Sequence, residues 1–316
     1  MQKYRVAILR GGAGEEYDSS LRTGESVLAV LDRDLYDPLD VVITKSGEWL
    51  LHGRVRTPQE VIEHIDLGFI ALHGAYGEDG TIQRLFDMAH VPHTGSRAFP
   101  SAIALHKVLT KDKLASIGVR MPRHMSVRSS ARANIDGLIT AIDELFGPKY
   151  VVKPIHGSSS VGRYIAENNH ALYVALGKAL SEYEQVLVEE FIEGREATCI
   201  VINNFRSQKL YALPAIEIVF SGDQAEHFCP SRFTGSEKEE IEQVARLAHE
   251  TLELSQYSRS DFIVARDGVY FLETNTLPDL TSECPFPKAL TAIGCPYAHF
   301  VDHLISDALE NHYSYN

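Results

Sequence analysis

Short apolar runs alternate with amphipathic helical patterns along the N-terminal third of the chain. Tyr4–Leu9, Leu39–Thr44 and Leu67–Ala71 are rich in β-forming residues and predict three strands. Ser20 is expected to cap a helix after the first strand, and Thr57-Pro58-Gln59-Glu60 is a capping box with proline at the first helical position. Strands that alternate with helices predict a parallel sheet whose functional loops follow the carboxyl ends of the strands.

The remaining two thirds of the chain predict two smaller α+β units. A long helix over Ser101–Ser116 is followed by Gly118, a good C-cap residue. Another helix is expected to begin at Ser236, with Glu239 as its capping-box partner. The other predicted elements are strands at His124–Val127, Tyr150–Lys153, Arg163–Glu167, Gln185–Glu190, Glu196–Asn203 and Lys209–Val219, and helices at Ala133–Phe146, His170–Ser181 and Tyr297–Glu310. We therefore expect an α/β protein with domains at 1–98, 99–188 and 189–316.

Composition and charge exclude several classes of protein and of binding partner. The chain has 316 residues, of which 44% are hydrophobic and 23% charged, and this balance excludes intrinsic disorder. No apolar run reaches the ~18 residues of a membrane-spanning helix. The net charge of −13 argues against nucleic acid or an anionic membrane as a partner, so an anionic ligand needs local cations and backbone N–H groups. The four cysteines have no metal-ligand spacing and fit a reducing cytoplasm.

An acidic β-hairpin near the C-terminus is the most informative segment. A three-residue loop over Arg266-Asp267-Gly268, with its glycine left-handed, is a common hairpin connection. That loop places Asp261 opposite Glu273 and Asn275 on the same face. Opposed carboxylates repel each other unless a cation lies between them, and oxygen ligands suit Mg²⁺. The alternative is a solvent-facing strand with scattered acids, and a two-residue turn would separate the two acids onto opposite faces.

A lysine followed by a loop of small residues predicts phosphate binding. Lys153 lies at the end of a strand and begins the segment Lys153–Gly162, whose backbone N–H groups are poorly shielded by side chains. The Gly-Lys-Ser/Thr order of a Walker-type loop is missing. Lys107, on the preceding helix, is a candidate second phosphate contact. An ordinary turn and a solvated surface lysine are the alternatives for these two features.

Two other features are weaker when taken alone. The segment Glu189–Glu196 ends a strand with acids and an apolar pair, which could bind the amine and ribose hydroxyls of a nucleotide. The glycine-rich loops Gly11–Glu16 and His73–Gly80 lack Gly-x-Gly-x-x-Gly spacing, and their acids suit a substrate with an ammonium group better than a pyrophosphate. Tight turns at a sheet edge are the alternative. The chain has no HExxH and no Gly-x-Ser-x-Gly motif, which removes the metalloprotease and serine-hydrolase hypotheses.

Taken in this order, the motifs resemble those of the ATP-grasp enzymes, and specifically the D-alanine–D-alanine ligases. The similarity runs nearly from end to end of the chain. The matching segments are Gly11-Gly12, His73-Gly74, Gly77-Glu78-Asp79-Gly80, Gln83, Pro92–Ser96, Lys107, Lys153-Pro154, Glu189, Gly194-Arg195-Glu196, Arg259, Asp261 and Glu273–Pro278. The resemblance implies an ATP-grasp fold, with an N-terminal parallel-sheet domain that binds substrate and two α+β units that enclose the nucleotide.

The resemblance also implies a reaction and a set of site residues. Ligases of this family use ATP to convert one D-amino acid to an acyl phosphate, which the amine of a second attacks to give a peptidoglycan precursor. The implied nucleotide-binding residues are Lys107, Lys153, Ser158, Ser160, Glu189, Phe191, Ile192 and Glu196, and the implied ligands of Mg²⁺ or Mn²⁺ are Asp261, Glu273 and Asn275. The implied catalytic residues are Glu16, Ser159 and Arg259, and the implied substrate contacts are His73, Asp279 and Cys284. A cytoplasmic homodimer is expected.

The half of the site that receives the second substrate departs from the family pattern. The stretch Phe220–His227 is short and lacks the tyrosine and lysine of the mobile loop that family members carry there. Asp279 stands where a glycine is usual, and Cys284 and Pro285 stand where a serine and a larger side chain are usual. An unpaired anion at Asp279 would repel a carboxylate or an oxyanion.

Three hypotheses follow from these patterns. The first is an ATP-dependent, Mg²⁺-requiring ligase of the D-alanine–D-alanine type. The second is another ATP-grasp carboxylate–amine ligase with a different acceptor. The third is a degenerate member of the family that binds ATP without catalysis. The short stretch before Phe228 and the anion at Asp279 favour the third hypothesis. Glu16 and Arg259 count against it, because a protein that only binds nucleotide does not need them.

Overall fold

The computed structural model describes residues 3–157, 162–222 and 224–313, with the side chains of all of these except 132, 133, 312 and 313. A first sheet contains β1 (Tyr4–Gly11), β2 (Tyr36–Ile43), β3 (Trp49–Leu51), β4 (Arg54–Arg56) and β5 (Leu67–Ile70), in the order β4-β3-β2-β1-β5. β1 pairs in parallel with β2 and β5, so the predicted parallel core is confirmed. The short strands β3 and β4, which the sequence did not predict, extend one edge in antiparallel fashion.

Four helices accompany the first sheet: α1 (Tyr17–Val30), α2 (Pro58–Ile62), α3 (Gly74–Glu78) and α4 (Thr81–Ala89). The predicted capping box is present, with Thr57 Oγ1 accepting from the Glu60 N–H and the Glu60 carboxylate accepting from the Thr57 N–H at 2.7 Å. The predicted cap at Ser20 is wrong, because Ser20 lies buried inside α1. Its hydroxyl accepts from the Gly11 N–H and donates to the Ala71 carbonyl, and so ties α1 to the sheet.

A second sheet of four antiparallel strands forms the middle of the chain. Its strands are β6 (His124–Arg128), β7 (Tyr150–Pro154), β8 (Tyr164–Ala166) and β9 (Gln185–Glu190), in the order β6-β9-β7-β8. A short 3-10 helix leads into α7 (Ile135–Phe146), and α7 shares an apolar core with α8 (Asn169–Glu182) and the strands. The four strands and two helices predicted for this part of the chain are confirmed.

The long helix predicted between these two sheets is wrong, because the chain forms two helices, α5 (Ala98–Leu105) and α6 (Lys107–Ala115). His106 separates them in an extended conformation, with φ −89° and ψ 96°, and its Nδ1 caps α6 by accepting a backbone hydrogen bond. The Lys107 N–H is free of the helical ladder and donates to the Ile155 carbonyl at 2.9 Å. The break therefore anchors Lys107 beside the loop that follows β7.

A third sheet occupies the C-terminal part of the chain. Its strands are β10 (Arg195–Phe205), β11 (Gln208–Ala212), β12 (Ile216–Ser221), β13 (Gln224–Phe228), β14 (Tyr257–Ala265) and β15 (Gly268–Asn275), in the order β13-β12-β10-β14-β15, with β11 also on β10. The single strand predicted at Lys209–Val219 is wrong, because Pro214, which has no N–H for a ladder, separates β11 from β12. The capping box of α9 (Gly235–Thr251) is formed by Thr234 and Glu237, two residues before the predicted pair of Ser236 and Glu239.

Two C-terminal helices complete the fold, α10 (Pro285–Ala292) and α11 (Tyr297–Tyr313), of which the sequence predicted only α11. The apolar residues of α11, among them Phe300 and Leu304, share one core with the strands of the first sheet. The end of the chain therefore packs against its beginning. None of the helices in the described ranges is long and apolar enough to cross a bilayer. The division into domains at 98 and 188 stays a prediction.

Candidate functional site

The hairpin formed by β14 and β15 brings two carboxylates together. Asp261 pairs with Glu273 across the hairpin, and the side-chain amide of Asn275 lies 3.4 Å from the Asp261 carboxylate. Arg259 forms two hydrogen bonds with the Asp261 carboxylate, at 3.0 and 3.1 Å, and the Thr198 hydroxyl donates to it at 2.7 Å. Carboxylate and amide oxygens are the donors that Mg²⁺ prefers. The donor set therefore fits a magnesium ion.

The pairing of these acids is as predicted, but the predicted loop is wrong. Ala265 pairs with Gly268, so the hairpin has a two-residue loop. That loop alone would bring Leu272 opposite Asp261. A β-bulge next to Asp261 leaves Leu272 out of the pairing and brings Glu273 opposite Asp261. The bulge, which the sequence did not predict, therefore restores the carboxylate pair.

Protein side chains alone do not complete a metal site here. No group of three or more His, Cys, Asp or Glu side chains in the part of the chain that the structure describes is arranged to hold a metal ion. Mg²⁺ commonly binds through one or two carboxylates and takes its other ligands from water and substrate phosphates. A metal ion at this hairpin would therefore depend on a phosphorylated ligand.

Three lysines and two carboxylates form a buried cluster where α6 meets the second and third sheets. The Lys107 ammonium lies 3.4 Å from Glu273 Oε2. Glu189 lies between Lys111 at 2.7 Å and Lys153 at 2.8 Å. All five side chains are buried. Because the lysines outnumber the carboxylates, this lysine cluster has a net positive charge and can hold an anion.

Burial and the neighbouring charges shift the pKa values of the side chains in the lysine cluster in opposite directions. Burial disfavours the charge on Glu189, but Lys111 and Lys153 outweigh it and lower the pKa of the carboxyl to about 2. Burial also disfavours the charge on Lys153, yet Glu189 and Glu273 raise the pKa of its ammonium. At Lys111 burial prevails and lowers the pKa of the ammonium. Lys153 is therefore held firmly in its charged form.

Lys111 was not among the predicted site residues. It follows Lys107 by four positions in α6, and side chains at this spacing lie on the same face of a helix. The spacing is visible in the sequence, but the pattern was also typical of a solvated surface helix. Only the burial of Lys111 beside Glu189 identifies it as part of the site.

The other residues predicted to bind the nucleotide lie at and after the end of β9. Phe191 and Ile192 are half-buried, and the Lys149 ammonium lies 3.9 Å from the centroid of the Phe191 ring. Burial raises the pKa of the Glu196 carboxyl against the opposing charge of Arg163. The predicted contacts at Ser158, Ser159 and Ser160 lie outside the described residues.

A cavity of about 250 Å³ lies at the carboxyl end of the first sheet. Glu16, predicted as a catalytic residue, and His73, predicted as a substrate contact, line it together with the loop after β7 and Tyr183. Gly157, in that loop, accepts a hydrogen bond from the Lys107 ammonium at 2.6 Å. The cavity is therefore adjacent to the lysine cluster, and a small molecule bound in it lies next to any anion bound there.

Side chains that follow β5 also bind the segment that comes after the acidic hairpin. The buried carboxylate of Glu78 accepts hydrogen bonds from Thr276 N–H at 2.7 Å, Leu277 N–H at 3.2 Å and Gly74 N–H at 3.1 Å. His73 Nδ1 lies 2.8 Å from the Leu277 carbonyl. These contacts fix the end of β15 against the loop that lines the cavity.

The sequence predicted that an unpaired Asp279 would repel a carboxylate or an oxyanion, but in the structure its carboxylate has hydrogen-bond partners. Its carboxylate accepts hydrogen bonds from Thr23 Oγ1 at 3.1 Å, from the Thr281 N–H at 2.8 Å and from the Ser19 hydroxyl. Burial disfavours its charge, but the neighbouring His73 and these hydrogen bonds outweigh burial and lower the pKa of the carboxyl. The negative charge is thus directed toward α1 and stabilised there.

Cys284 is the N-cap residue of α10, and its Sγ accepts a hydrogen bond from Thr281 Oγ1 at 3.3 Å. Burial raises the pKa of the Cys284 thiol to about 11, so the group is neutral at pH 7. Pro285 and Pro287 lie in the first turn of α10 and have no N–H. This helix start therefore offers fewer donors to a carboxylate than an ordinary one.

Comparison with known proteins agrees with these features. Two family models match the chain, D-ala D-ala ligase N-terminus over residues 52–96 and D-ala D-ala ligase C-terminus over residues 114–306. The chain is 34% identical to the D-alanine–D-alanine ligase of Syntrophobacter fumaroxidans, with 98% of this chain and 99% of that protein covered. It is 33% identical to the corresponding ligase of Trichlorobacter lovleyi, over 98% of this chain and 96% of that one.

A solved structure extends the similarity to three dimensions. The D-alanine–D-alanine ligase from Bacillus anthracis complexed with ATP is 27% identical and superposes with a TM-score of 0.82, over 98% of this chain and 99% of that one. The resemblance inferred from the motifs is therefore confirmed over nearly the whole length. The chain belongs to the D-alanine–D-alanine ligase family, has the ATP-grasp fold and is an ATP-dependent carboxylate–amine ligase.

Proposed function

We propose that this ligase joins two D-amino acids through an acyl phosphate, with D-alanine as the first, and supplies the product to peptidoglycan precursor synthesis. The observation that carries the proposal is the adjacency of the net positive lysine cluster and the cavity lined by Glu16 and His73. The cluster can hold a triphosphate and the cavity an amino acid. Their adjacency brings a carboxylate next to the terminal phosphate, and positioning and charge neutralisation supply most of the catalysis of phosphoryl transfer.

Residues on both sides of the lysine cluster would hold the nucleotide. Lys107 and Lys153 neutralise the phosphates, and the loop that contains Ser158 and Ser160 adds backbone hydrogen bonds. The remaining contacts, to adenine and ribose, come from Glu189, Phe191, Ile192 and Glu196. The buried positions of Lys107, Lys153 and Glu189 support these roles.

The acidic hairpin would hold Mg²⁺ or Mn²⁺ together with ATP, through Asp261, Glu273 and Asn275. When bound, the metal supplies neutralisation of the charge on the transferring phosphoryl group. The contribution of the chain itself is the bulged register, which holds the two carboxylates opposite each other. Arg259 and Lys107 balance their charge.

Three residues would act on the reacting groups. Glu16 accepts a hydrogen bond from the ammonium of the first amino acid, and Ser159 orients that amino acid. Arg259 stabilises the oxyanion of the tetrahedral intermediate. Burial disfavours the charge on Arg259, but Asp261 and Glu273 outweigh it and raise the pKa of the guanidinium, so Arg259 carries its charge throughout the reaction.

A ligase with an acceptor other than D-alanine is the second candidate. The neutral thiol of Cys284 and the two prolines of the first turn of α10 give an acceptor carboxylate few donors, which supports it. Asp279 does not count against a carboxylate as strongly as its charge suggests, because Ser19, Thr23 and Thr281 already bind it.

Release of ADP across a panel of D-amino acids, L-amino acids, D-hydroxy acids and small amines tests the proposal. We expect D-alanine as donor to support ADP release, with a dipeptide identified by mass spectrometry. A product from D-alanine and another acceptor would favour the second candidate. Purified protein that releases ADP with no member of the panel would contradict both and favour a protein that binds ATP without catalysis.

Substitution of Gly74 tests the role of the cavity. Gly74 has φ +65°, and a Cβ atom there would collide with the Glu16 carboxylate. We expect Gly74→Ala to displace Glu16 and raise the KM for the first amino acid by about 10- to 100-fold. It should also lower the free energy of unfolding by about 1–2 kcal/mol, because an L-residue is strained at this φ. Steady-state kinetics and urea unfolding measure the two effects.

Gly177→Ala is the matched control for this substitution. Gly177 lies within α8, and apart from its chain neighbours and the backbone of its own helix no atom lies within 4 Å of the position where its Cβ would be. We expect an unchanged KM and an unfolding free energy equal to or above that of the wild type, since alanine favours helix. A Gly74→Ala variant with an unchanged KM for the first amino acid would argue against Glu16 as the ammonium-binding residue.

We also propose that the ligase works as a homodimer in the cytoplasm, with its three domains at 1–98, 99–188 and 189–316. The four free cysteines support a reducing compartment, because a cytosolic protein keeps its thiols reduced. Light scattering after size-exclusion chromatography measures the mass in solution. A monomer at working concentrations would contradict the dimer.

A further inference from the structure

Tyr183 borders the cavity at the first sheet and has no role in the reaction described so far. It follows α8 directly, and its backbone N–H closes that helix by donating to the Ala179 carbonyl at 2.8 Å. Its side chain lines the cavity of about 250 Å³ together with Glu16 and His73. A side chain from the middle of the chain therefore faces two residues that follow strands of the first sheet.

Two contacts fix the direction of the Tyr183 side chain. It packs against the apolar core that α7 and α8 share with the second sheet. At its outer end, the hydroxyl oxygen lies so close to Gly162 that a Cβ atom on Gly162 would be 2.8 Å from it. Because the core takes up the apolar part of the ring, the hydroxyl end is the part of the side chain that faces the cavity.

The Tyr183 hydroxyl is free to bind a ligand, since it forms no hydrogen bond with any other residue that the structure describes. The neighbouring imidazole of His73 differs in this respect. Its Nδ1 lies 2.8 Å from the Leu277 carbonyl, and its Nε2 lies 2.8 Å from the Thr23 hydroxyl. His73 therefore shapes the cavity, whereas Tyr183 offers it an available hydrogen-bonding group.

The charges around the cavity orient an amino acid within it. Its carboxylate is attracted to Lys107, whose ammonium donates to Gly157 on the cavity wall at 2.6 Å. Its ammonium is attracted to the carboxylates of Glu15 and Glu16, which also line the cavity. Burial, and next the charge of Glu15, raise the pKa of the Tyr183 hydroxyl, which therefore stays protonated. Tyr183 thus borders the acidic part of the cavity, where the ammonium binds.

An ammonium group that leaves water needs an acceptor for each of its three N–H donors. Glu16 supplies carboxylate oxygens, and both ring nitrogens of His73 are already engaged. The hydroxyl oxygen of tyrosine accepts hydrogen bonds as well as donating one. Tyr183 can therefore supply an acceptor that Glu16 alone does not.

We propose that Tyr183 binds the first amino acid, with its hydroxyl oxygen accepting a hydrogen bond from the ammonium group beside Glu16. This role rests on the proposed ligase function, because it assigns the cavity to the first substrate of that reaction. Tyr183 holds the substrate in place and takes no part in proton transfer.

Hydroxylamine as the acceptor isolates the binding of the first amino acid. With hydroxylamine at saturation and D-alanine varied, the formation of D-alanine hydroxamate reports the KM of the donor. We expect Tyr183→Phe, which keeps the ring and removes the hydroxyl, to raise this KM by about 10- to 100-fold, the usual effect of losing one hydrogen bond to a charged group. The KM for ATP and the urea unfolding midpoint should stay at wild-type values, because the ring keeps its packing.

A binding measurement gives the same quantity without turnover. D-alanine is titrated calorimetrically into the protein together with a non-hydrolysable ATP analogue. Tyr183→Phe should weaken the tighter binding of D-alanine by the same factor. Tyr173→Phe is the matched control, because Tyr173 lies on α8 and is 46% exposed. It should equal the wild type in both measurements.

The possible outcomes separate this role from the proposed function. An unchanged donor KM and an unchanged affinity in Tyr183→Phe would overturn the role of Tyr183. Equal rises in the KM for D-alanine and for ATP would also overturn it, since Tyr183 would then act through the segment that ends at Gly162. A wild-type protein that makes neither hydroxamate nor dipeptide would overturn the ligase function itself, and the titration would still show whether Tyr183 binds the amino acid.

Discussion

Replacement of Glu273 by glutamine is expected to lower kcat/KM for ATP by about 10²- to 10³-fold, the usual loss when one electrostatic contact to a developing charge is removed. Glu273 is buried, lies opposite Asp261 and is 3.4 Å from the Lys107 ammonium. Glutamine keeps the shape of the side chain but removes one of the two negative charges of the proposed metal site. Initial rates at varied Mg·ATP, together with calorimetric titration of Mg·ATP, measure the effect.

Glu250→Gln is the matched control for Glu273→Gln. Glu250 is exposed, and its pairing with Lys209 at 2.8 Å lies at the surface, where an ion pair contributes little. We expect its kinetics and nucleotide binding to equal those of the wild type. If Glu273→Gln binds Mg·ATP as tightly as the wild type and turns over at the same rate, the metal does not bind at the hairpin.

Replacement of Glu189 by glutamine is expected to lower the free energy of unfolding by about 3–5 kcal/mol, the usual effect of removing one partner of a buried ion pair. Glu189 is 2% exposed and separates the ammonium groups of Lys111 and Lys153. Without its charge, two buried lysines face each other with no carboxylate between them. Urea unfolding at neutral pH measures the difference. Addition of Lys111→Met to Glu189→Gln should restore part of the loss, because it removes one of the stranded charges.

The contribution of Glu189 to the free energy of unfolding should decrease as the pH falls. The pKa of its carboxyl is about 2 in the folded protein and has a usual value of 4.5, so the folded state binds fewer protons than the unfolded state between these values. The stability that Glu189 contributes is therefore complete above about pH 4.5 and is lost as the pH falls toward about 2. The difference in unfolding free energy between wild type and Glu189→Gln should shrink over this window. A difference that is independent of pH would show that the ion pairs are not its source.

The parts of the fold that the sequence predicted correctly depend on neighbours along the chain. The capping box at Thr57 and Glu60 needs four consecutive residues, and it forms as predicted. The strand at Gln185–Glu190 was predicted to the residue, because an apolar run bounded by polar residues specifies it. The order of spaced motifs was specific enough to identify the family, which the comparisons confirm.

The acidic hairpin shows how a correct result can come from an incorrect reason. The sequence predicted that Asp261 faces Glu273, but it predicted a three-residue loop and no bulge. In the structure Phe262 pairs with Phe271, and their rings lie 5.9 Å apart in the core. Packing of these rings fixes the register near the loop, and the bulge then shifts the rest of the strand. Local patterns do not reveal a bulge, because it depends on which side chains the core accepts.

The sequence by itself determined the family, the α/β class of the fold and the residue types of the site. Only the tertiary structure showed that His106 divides a helix, that Lys111 belongs to the buried lysine cluster, and that Asp279 is paired with α1. Each of these features joins groups far apart along the chain: 256 positions separate Asp279 from Thr23. The protonation state and the orientation of such side chains depend on burial and on charges from other elements of the fold. The order of residues along the chain reveals neither the burial nor those charges.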